Sequence, residues 1–389
     1  MKIKQVKIYQ LDWGPQLRRY WHPVVVKIIT DDGNHGWGEA GIAYGKGAQG
    51  TVGVLQELAP QLLGRDASQI NAIWQDFYEH TFWAKNGGTI LYSAISAIDV
   101  ALWDLKARAF NVPLYQLLGG QIRNILPVYA SHLEYGWGPF SRRLDQPSDF
   151  ARLAKRAKRQ GYTAIKIDPI DLEAGRSLVP NRALLKPDQL NRYYQRVAAI
   201  RQAVGKNVQI IIDCHANLNL SSAIQLVRKL TPLGIDYYEE LLPTLNPAAT
   251  KRLVQATGAT LAVGEHLTIP ATYQPYLSSI GIVQPDLGTC GGVTGAQQII
   301  ALAATNELGI QLHVCGGPIA TAAALQFEAA CPNFVIHEEH EINLKAANYN
   351  SGKYHYHPVD GKYKVPSRSG IGQELSSAAI AAAKVITIK

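Results

Sequence analysis

The chain has 389 residues, of which 47% are hydrophobic and 17% are charged, and its formal net charge is +8. This length fits one large domain with a smaller one, and the composition excludes bulk disorder. The sequence has no apolar run of about 18 residues, and its first residues lack the apolar core of a secretion signal. We therefore expect a globular protein with no membrane partner.

Basic residues are spread along the chain, and the densest group, at residues 152–159, fits the solvated face of a helix. This distribution argues against a nucleic-acid partner and favours a small anionic substrate. The four cysteines show no CxxC spacing, so a disulfide framework is not expected and the predicted location is a reducing cytoplasm.

Residues 1–125 combine strand-like and helical patterns, which predicts a separate domain of mixed structure. Two strand-like stretches are followed by a turn and two helical patterns, at residues 1–8, 24–29, 31–33, 48–63 and 89–110. Pro113 and the pair Gly119-Gly120 punctuate the end of this region, so we place a domain boundary near residue 125.

Residues 126–345 alternate short apolar runs with helical patterns, which predicts parallel strands joined by crossover helices. The predicted strands are residues 128–130, 165–167, 210–213, 237–240, 262–265, 282–286, 311–314 and 334–338. The clearest helical patterns are residues 149–160, 190–204 and 221–230. The alternation stops near residue 345, and we expect residues 346–389 to return over the first domain.

A polar residue stands at the predicted carboxyl end of nearly every strand. These residues recur every 21 to 27 positions, at Asp213, Glu239, Glu265, Asp286, His313 and Glu338. An open doubly wound sheet would gather its polar strand ends at one switch point. Polar ends on nearly every strand instead predict an α/β barrel of the TIM type, with its chemistry at that end.

Asp213, Glu239 and Glu265 end three successive predicted strands, so they should converge at one end of the barrel. Each alone could cap a helix or pair with a Lys or Arg on a loop. Together, their charges would repel in a partly dry site unless a cation or a proton neutralised them. Oxygen ligands with open positions suit Mg²⁺, so we predict one Mg²⁺ held by these three carboxylates.

Several phrases resemble the mandelate racemase and muconate lactonizing branch of the enolase superfamily, and the similarity covers nearly the whole chain. The phrases are GWGEA (36–40), SAIDVALWDLKAR (96–108), PLYQLLGG (113–120), IKIDP (165–169), IIDCH (211–215), YYEE (237–240), VGEH (263–266), VQPD (283–286) and CPNFVIHEE (331–339). The resemblance implies a (β/α)7β barrel with an α+β capping domain and a homo-oligomer. It also implies Mg²⁺-dependent removal of the proton alpha to a carboxylate.

The resemblance assigns roles to further residues. Lys166 would add a positive charge beside the metal. Asp286 and His313 would form a dyad, in which the carboxylate fixes the imidazole tautomer and raises its pKa, as a general base needs. Glu338 would hydrogen-bond the substrate carboxylate, although Glu339 follows directly and could take that role.

Two motifs bear on the outcome of the reaction. Racemases of this family carry a second base at the end of a Lys-x-Lys motif, whereas residues 166–168 read Lys-Ile-Asp. Asp is a much weaker base than a desolvated Lys, so the second face of the alpha carbon is not served. On an extended segment His215 would point the same way as Asp213 and could protonate a leaving beta-hydroxyl while His313 takes the alpha proton. This arrangement resembles the galactonate and gluconate dehydratases, so we expect an acid-sugar dehydratase, a lyase.

Two alternatives remain open, namely an epimerase, racemase or cycloisomerase on the same site and a catalytically idle sugar-acid-binding protein. Residues 239–243 read Glu-Glu-Leu-Leu-Pro where the family commonly has Glu-Glu-Pro, and the loop at residues 169–187 is long. Capping segments at residues 13–23 and 42–49 would close over the substrate. The candidate substrate contacts are Asp168, Arg19, Trp21, His22 and Tyr44.

Overall fold

The computed structural model describes residues 1–15, 17–139, 144–173, 176–177 and 183–389, so part of the predicted loop at residues 169–187 lies outside the described residues. The strands are β1 (Ile3–Gln10), β2 (Val24–Thr30), β3 (His35–Ala40), β4 (Ile125–Ser131), β5 (Ala164–Ile167), β6 (Leu172–Glu173), β7 (Arg176–Ser177), β8 (Gln209–Asp213), β9 (Tyr237–Glu239), β10 (Leu261–Val263), β11 (Ile282–Val283), β12 (Gly309–Ile310), β13 (His337–His340), β14 (Lys362–Lys364) and β15 (Lys384–Ile388).

The α-helices are α1 (Ala48–Leu58), α2 (Ile70–His80), α3 (Thr89–Ala109), α4 (Leu114–Leu117), α5 (Pro147–Arg159), α6 (Pro187–Val204), α7 (Leu220–Leu230), α8 (Pro247–Thr257), α9 (Pro270–Tyr273), α10 (Gly292–Thr305), α11 (Pro318–Ala330), α12 (Ala346–Tyr349) and α13 (Ser377–Ala382). No helix among the described residues is both long enough and apolar enough to cross a membrane.

The capping domain is built on a four-stranded antiparallel sheet in the order β15-β1-β2-β3. Strand β2 is rich in β-branched residues, which favour extended backbone. Helix α3 lies directly against β3, where a Cβ on Gly38 would come within 2.0 Å of the carbonyl oxygen of Ala97. The glycine is therefore required for this close packing. The last strand of the chain, β15, pairs antiparallel with β1.

Eight parallel strands of the described residues form the barrel, in the order β12-β11-β10-β9-β8-β5-β4-β13. A parallel bridge between Ile310 and Phe334 joins the two ends of this order and closes the sheet. Inside, Gln311 crosses the barrel and bonds the hydroxyl groups of Tyr129 and Tyr237. The predicted TIM-like barrel with an α+β capping domain is confirmed.

Several strand boundaries differ from the prediction. Strands β10, β11 and β12 end before Glu265, Asp286 and His313, which lie two or three residues further along the chain. Glu338 lies near the start of β13 and not at a strand end. The apolar pattern of the sequence covers the whole buried segment, whereas the regular strand pairing ends earlier within it. Beyond that point, neighbouring segments share only single hydrogen bonds, such as the one from His313 N–H to Pro285 O at 3.2 Å.

Candidate active site

The predicted site residues come together at the carboxyl ends of the barrel strands. Asp213 and Glu239 are the last residues of β8 and β9 and lie opposite each other in register. Lys166 lies on β5, which pairs with β8 on the side opposite to β9. Because parallel strand ends meet at one edge of a barrel, residues far apart in the sequence share one site.

Lys166 is fully buried and lies among three carboxylates. Its Nζ is 3.2 Å from Asp213 Oδ2, 3.0 Å from Glu338 Oε1 and in direct contact with Glu239 Oε1. Burial lowers the pKa of Lys166, but the charges of Glu239 and Glu338 outweigh it and raise this pKa well above its ordinary value. Lys166 is therefore a fixed positive charge and a poor base.

This cluster contains more acid than one lysine neutralises. Burial raises the pKa of Glu239 to about 8, and the nearby charges of Asp213 and Glu338 add to the shift against the opposing effect of Lys166. The raised pKa of Glu239 means that its negative charge is unfavourable in this cluster, so further positive charge would stabilise the cluster.

The donor set fits a hard divalent cation. Asp213 Oδ2 is buried and, although Lys166 Nζ lies 3.2 Å away, it accepts no well-aligned hydrogen bond from the described residues. Asp213, Glu239 and Glu265 offer carboxylate oxygens, the donors that Mg²⁺ prefers. The three are not a preassembled group, because the clusters of described residues whose ligand atoms lie within 4.8 Å of one another are His132-Asp213-His215 and Glu240-Glu265-His266.

Asp286 and His313 lie together as predicted. His313 Nδ1 is 2.7 Å from Asp286 Oδ2, and His313 Nε2 is 3.4 Å from Glu265 Oε2. Burial lowers the pKa of His313, but Glu265 and Asp286 raise it more, to well above its ordinary value. A cation on Glu265 would offset the charge of that carboxylate and bring the pKa of the imidazole closer to the range in which it acts as a base.

Asp168 and His215 form a second carboxylate–imidazole pair. His215 Nδ1 is 2.8 Å from Asp168 Oδ2, and its Nε2 is 3.6 Å from Asp213 Oδ2. His215 thus lies beside Asp213, but the predicted reason was wrong. His215 and Ala216 have φ angles of 44° and 57°, so the segment turns instead of continuing as an extended strand.

Glu338 and Glu339 point to opposite sides of β13, as successive strand residues do. Glu338 accepts the hydroxyl of Ser131 at 2.6 Å and the backbone N–H of Val314 at 2.9 Å, within the site. Glu339 accepts the hydroxyl of Tyr363 at 2.8 Å, away from it. The geometry therefore favours Glu338 over Glu339 as the carboxylate in the site.

His132 and His340 belong to the same site, although neither was predicted from the sequence. The ring of His132 stacks on that of His215 at 4.9 Å between centroids, and its Nδ1 is 2.8 Å from Glu134 Oε1. The ring of His340 is 4.5 Å from that of His132. Burial lowers the pKa of His132 to about 3, so this ring is neutral. The signals were present, since His132 directly follows the first barrel strand and His340 shares a strand face with Glu338.

A further pair, Glu240 and His266, was also missed. Glu240 Oε2 contacts His266 Nδ1, and Glu240 Oε1 accepts the N–H of Gly264 at 3.1 Å. The hydrogen bond that His266 donates to Glu240 raises the pKa of His266 to about 9, which adds positive charge next to Glu265. Both residues end motifs that the sequence shows, YYEE and VGEH, but their contact follows a backbone turn with a φ of 30° at Glu240, which the sequence does not indicate.

The four capping-domain candidates have different surroundings. Trp21 is buried with its ring 5.8 Å from that of His340, so the capping domain covers this end of the site. Tyr44 lies 5.4 Å from Trp21, ring to ring, and burial together with a nearby cysteine of the barrel raises its pKa. Arg19 is exposed, and neither it nor His22 makes a side-chain hydrogen bond to the barrel among the described residues. The structure thus places Trp21 and Tyr44 at this end of the site, whereas the substrate contacts of Arg19 and His22 stay predictions.

Known families match most of the chain. Residues 18–119 match the mandelate racemase/muconate lactonizing enzyme N-terminal domain. Residues 149–379 match the enolase C-terminal domain-like family. Among solved structures, a member of the enolase superfamily from Salmonella Typhimurium is 41% identical, with a TM-score of 0.95 over 100% of both chains.

Two curated relatives are similar over most of this chain. The chain is 32% identical over 356 residues to D-galactonate dehydratase of Variovorax paradoxus, which covers 90% of this chain and 84% of that protein. It is 31% identical over 333 residues to D-gluconate dehydratase of Thermoproteus tenax, which covers 85% of this chain but 63% of that relative's length. With both domains matched and the strand-end site in place, the chain is an enzyme of the mandelate racemase and muconate lactonizing enzyme family, within the enolase superfamily.

Proposed function

We propose that the enzyme is a Mg²⁺-dependent acid-sugar dehydratase that converts a sugar acid into a 2-keto-3-deoxy acid. The observation that carries the proposal is the pair of carboxylate-backed histidines at one carboxylate cluster. His313 Nε2 faces Glu265 at 3.4 Å, and His215 Nε2 faces Asp213 at 3.6 Å. Elimination of water needs one group to remove a proton and another to donate one, and two such histidines supply both.

The names of the relatives support this reaction class. The Variovorax paradoxus and Thermoproteus tenax proteins are named for dehydration of D-galactonate and D-gluconate, respectively. Dehydratases of this kind are hydro-lyases, and both substrates are sugar acids. Which sugar acid this enzyme takes depends on capping-domain contacts such as Trp21 and Tyr44.

In the proposed reaction, His313 Nε2 takes the proton from the alpha carbon, while Asp286 holds the proton on Nδ1 and keeps the ring oriented. His215 Nε2 then donates a proton to the beta-hydroxyl, which leaves as water, and Asp168 holds the other side of that ring. The resulting enol takes up a proton at the beta carbon and becomes the 2-keto acid. The enol gives up its O–H proton as the beta carbon gains one, so this last step changes no proton count. Elimination leaves His313 with one proton more and His215 with one fewer, and exchange with solvent restores both, so the net change is loss of one water.

Asp213, Glu239 and Glu265 would hold the Mg²⁺. When bound, Mg²⁺ would polarise the substrate carboxylate and stabilise the negative charge that develops on it. Lys166 supplies a permanent positive charge next to Asp213 and Glu239, and its burial fixes that charge in place.

Racemisation or epimerisation would require a base on the second face of the alpha carbon. Lys166 is a poor candidate, because three carboxylates surround it and hold its proton. Asp168 is occupied by His215 and by the N–H of Ile170 at 3.0 Å. These contacts argue against inversion and leave cycloisomerisation and an idle binding protein as the alternatives to exclude.

A screen of acid sugars with Mg²⁺ tests the proposal, with semicarbazide detection of 2-keto acids. We expect at least one sugar acid to give product and EDTA to abolish it. Turnover that survives EDTA would contradict the metal mechanism. Binding of sugar acids without turnover would instead support the idle binding protein.

The family resemblance also supports a homo-oligomer. Size-exclusion chromatography with light scattering would test this, and a mass of 42.5 kDa, that of one chain, would contradict it.

A further inference from the structure

Glu39 is a capping-domain residue whose carboxylate lies against the barrel domain. It belongs to the GWGEA phrase and is 2% exposed. One carboxylate oxygen accepts the backbone N–H of Gly317 at 2.6 Å, and the other accepts that of Ala320 at 3.1 Å. These groups lie at the start of α11, where helix N–H groups lack partners within the helix and negative charge is favoured. Glu39 therefore caps a barrel helix from the other domain.

Two glycines of the barrel domain, Gly316 and Gly317, lie against the Glu39 carboxylate. A Cβ on Gly317 would lie 2.9 Å from both Glu39 oxygens, and one on Gly316 would lie 3.2 Å from Oε1. The residue that precedes α11, Gly317, has no side chain that could cap the helix itself. The first turn of α11 thus receives this carboxylate in place of a local cap.

The segment that Glu39 fixes is the one that carries His313. Residues 313–317 lead from His313 to the start of α11, and at the other end Val314 N–H donates to Glu338 Oε2 at 2.9 Å. One carboxylate of the barrel and one of the capping domain therefore hold the two ends of this short segment.

The same edge of the capping domain also contacts the turn that carries Asp286. Gly41 N–H donates to Gly288 O at 2.8 Å, and Gly288 N–H donates to Asp286 Oδ1 at 2.6 Å. A Cβ on Gly288 would lie 2.4 Å from Gly41 N, so the two backbones are in direct contact. Both members of the His313–Asp286 pair thus lie next to residues 39–41.

We infer that Glu39 is a positioning residue, which keeps His313 oriented toward Asp286 and the carboxylate cluster by fixing residues 313–317 from the capping domain. It acts through the backbone of that segment and does not touch the reacting atoms. The base is then in place only when the two domains are correctly docked. The inference rests on the proposed function for its kinetic effect, but the position of the segment can be measured without a substrate.

Asp99 offers a matched control. It is a buried acid on α3 of the capping domain, and it accepts the N–H of Thr294 at 3.0 Å and the hydroxyl of Thr294 at 2.5 Å. Thr294 lies in the first turn of α10, so Asp99 makes the same kind of contact between the same domains. It does not contact the segment that carries His313, so Asp99→Asn tests the effect of weakened docking alone.

Cys315 can report the position of the segment. It lies two residues after His313 and is half-buried, whereas the other three cysteines are buried. Its side chain interacts with that of His313, so its rate of labelling by a thiol reagent is sensitive to displacement of residues 313–317. Loss of one hydrogen bond to the buried Glu39 carboxyl group should raise the population in which this segment is displaced by about 10-fold.

In Glu39→Gln we expect Cys315 labelling to rise about 10-fold. We expect kcat to fall about 10- to 100-fold with KM changed less than about 3-fold, since a displacement of about 1 Å in a catalytic group can cost about 100-fold in rate. Asp99→Asn should be less stable in urea but should keep wild-type labelling and kcat. Gly317→Ala crowds the same contact from the barrel side and should give the same changes in labelling and kcat as Glu39→Gln. It serves as the test if Glu39→Gln does not fold.

Wild-type labelling of Cys315 in both Glu39→Gln and Gly317→Ala would overturn the inference. Equal losses of kcat in Glu39→Gln and Asp99→Asn would do the same, because Glu39 would then serve only domain docking. If the wild type dehydrates no acid sugar, the proposed function fails, and the labelling comparison alone decides whether Glu39 fixes the segment.

Discussion

Replacing Lys166 with methionine should destabilise the metal-free protein by about 3–5 kcal/mol, because a buried carboxylate cluster then loses the one lysine that contacts it among the described residues. At an effective dielectric constant of about 20, the pairs with Asp213 at 3.2 Å and Glu338 at 3.0 Å are each attractive by about 5 kcal/mol. The cost of burying the ammonium group cancels part of this, and protonation of Glu239 relieves part of the remaining repulsion. The net loss therefore stays within the range seen when one partner of a buried pair is removed.

Urea unfolding in EDTA, followed by tryptophan fluorescence, would measure this loss. Lys155→Met is the matched control, because Lys155 is exposed on α5 and should change stability by less than about 0.5 kcal/mol. Added Mg²⁺ should then stabilise Lys166→Met more than the wild type, since the carboxylates of the variant carry more negative charge that no lysine offsets. A Lys166→Met protein as stable as the wild type in EDTA would refute the reasoning about this cluster.

Three further substitutions test other parts of the account. His313→Asn should lower exchange of the alpha proton about 100- to 10,000-fold while the variant still binds Mg²⁺ in calorimetry, and retained exchange would exclude His313 as the base. His215→Asn should slow formation of the 2-keto acid more than exchange of the alpha proton with D₂O, and equal losses would contradict its role as the acid. Gly38→Ala should cost about 1–3 kcal/mol in urea unfolding because its Cβ would lie 2.0 Å from the Ala97 carbonyl oxygen. Gly53→Ala in α1, with nothing within 4 Å, is its control and should be neutral or stabilising.

The barrel was predictable from the sequence because its signals repeat in each unit. Short apolar runs, crossover helices and polar strand ends recur, so an error in one unit does not change the fold. The expectation that polar residues at the carboxyl ends of strands form the site located Asp213 and Glu239, which end β8 and β9 as predicted. The same rule applied to the first barrel strand would have found His132.

Other parts of the site could not be predicted, because they depend on backbone turns and on contacts between distant residues. The turn at His215 and Ala216 brings His215 against Asp168, and no pattern in the sequence signals its positive φ angles. The contact of Glu39 with α11 joins two domains across hundreds of residues. A sequence motif can identify such a residue, but the packed structure is needed to show what it touches.

The most direct test of the proposed reaction is incubation of the purified enzyme with Mg²⁺ and D-galactonate or D-gluconate in D₂O, followed by NMR. The account predicts a 2-keto-3-deoxy acid that carries deuterium at the former beta carbon, and no product in EDTA. Recovery of substrate with deuterium at the alpha carbon and no 2-keto acid would contradict dehydration and favour inversion on the same site.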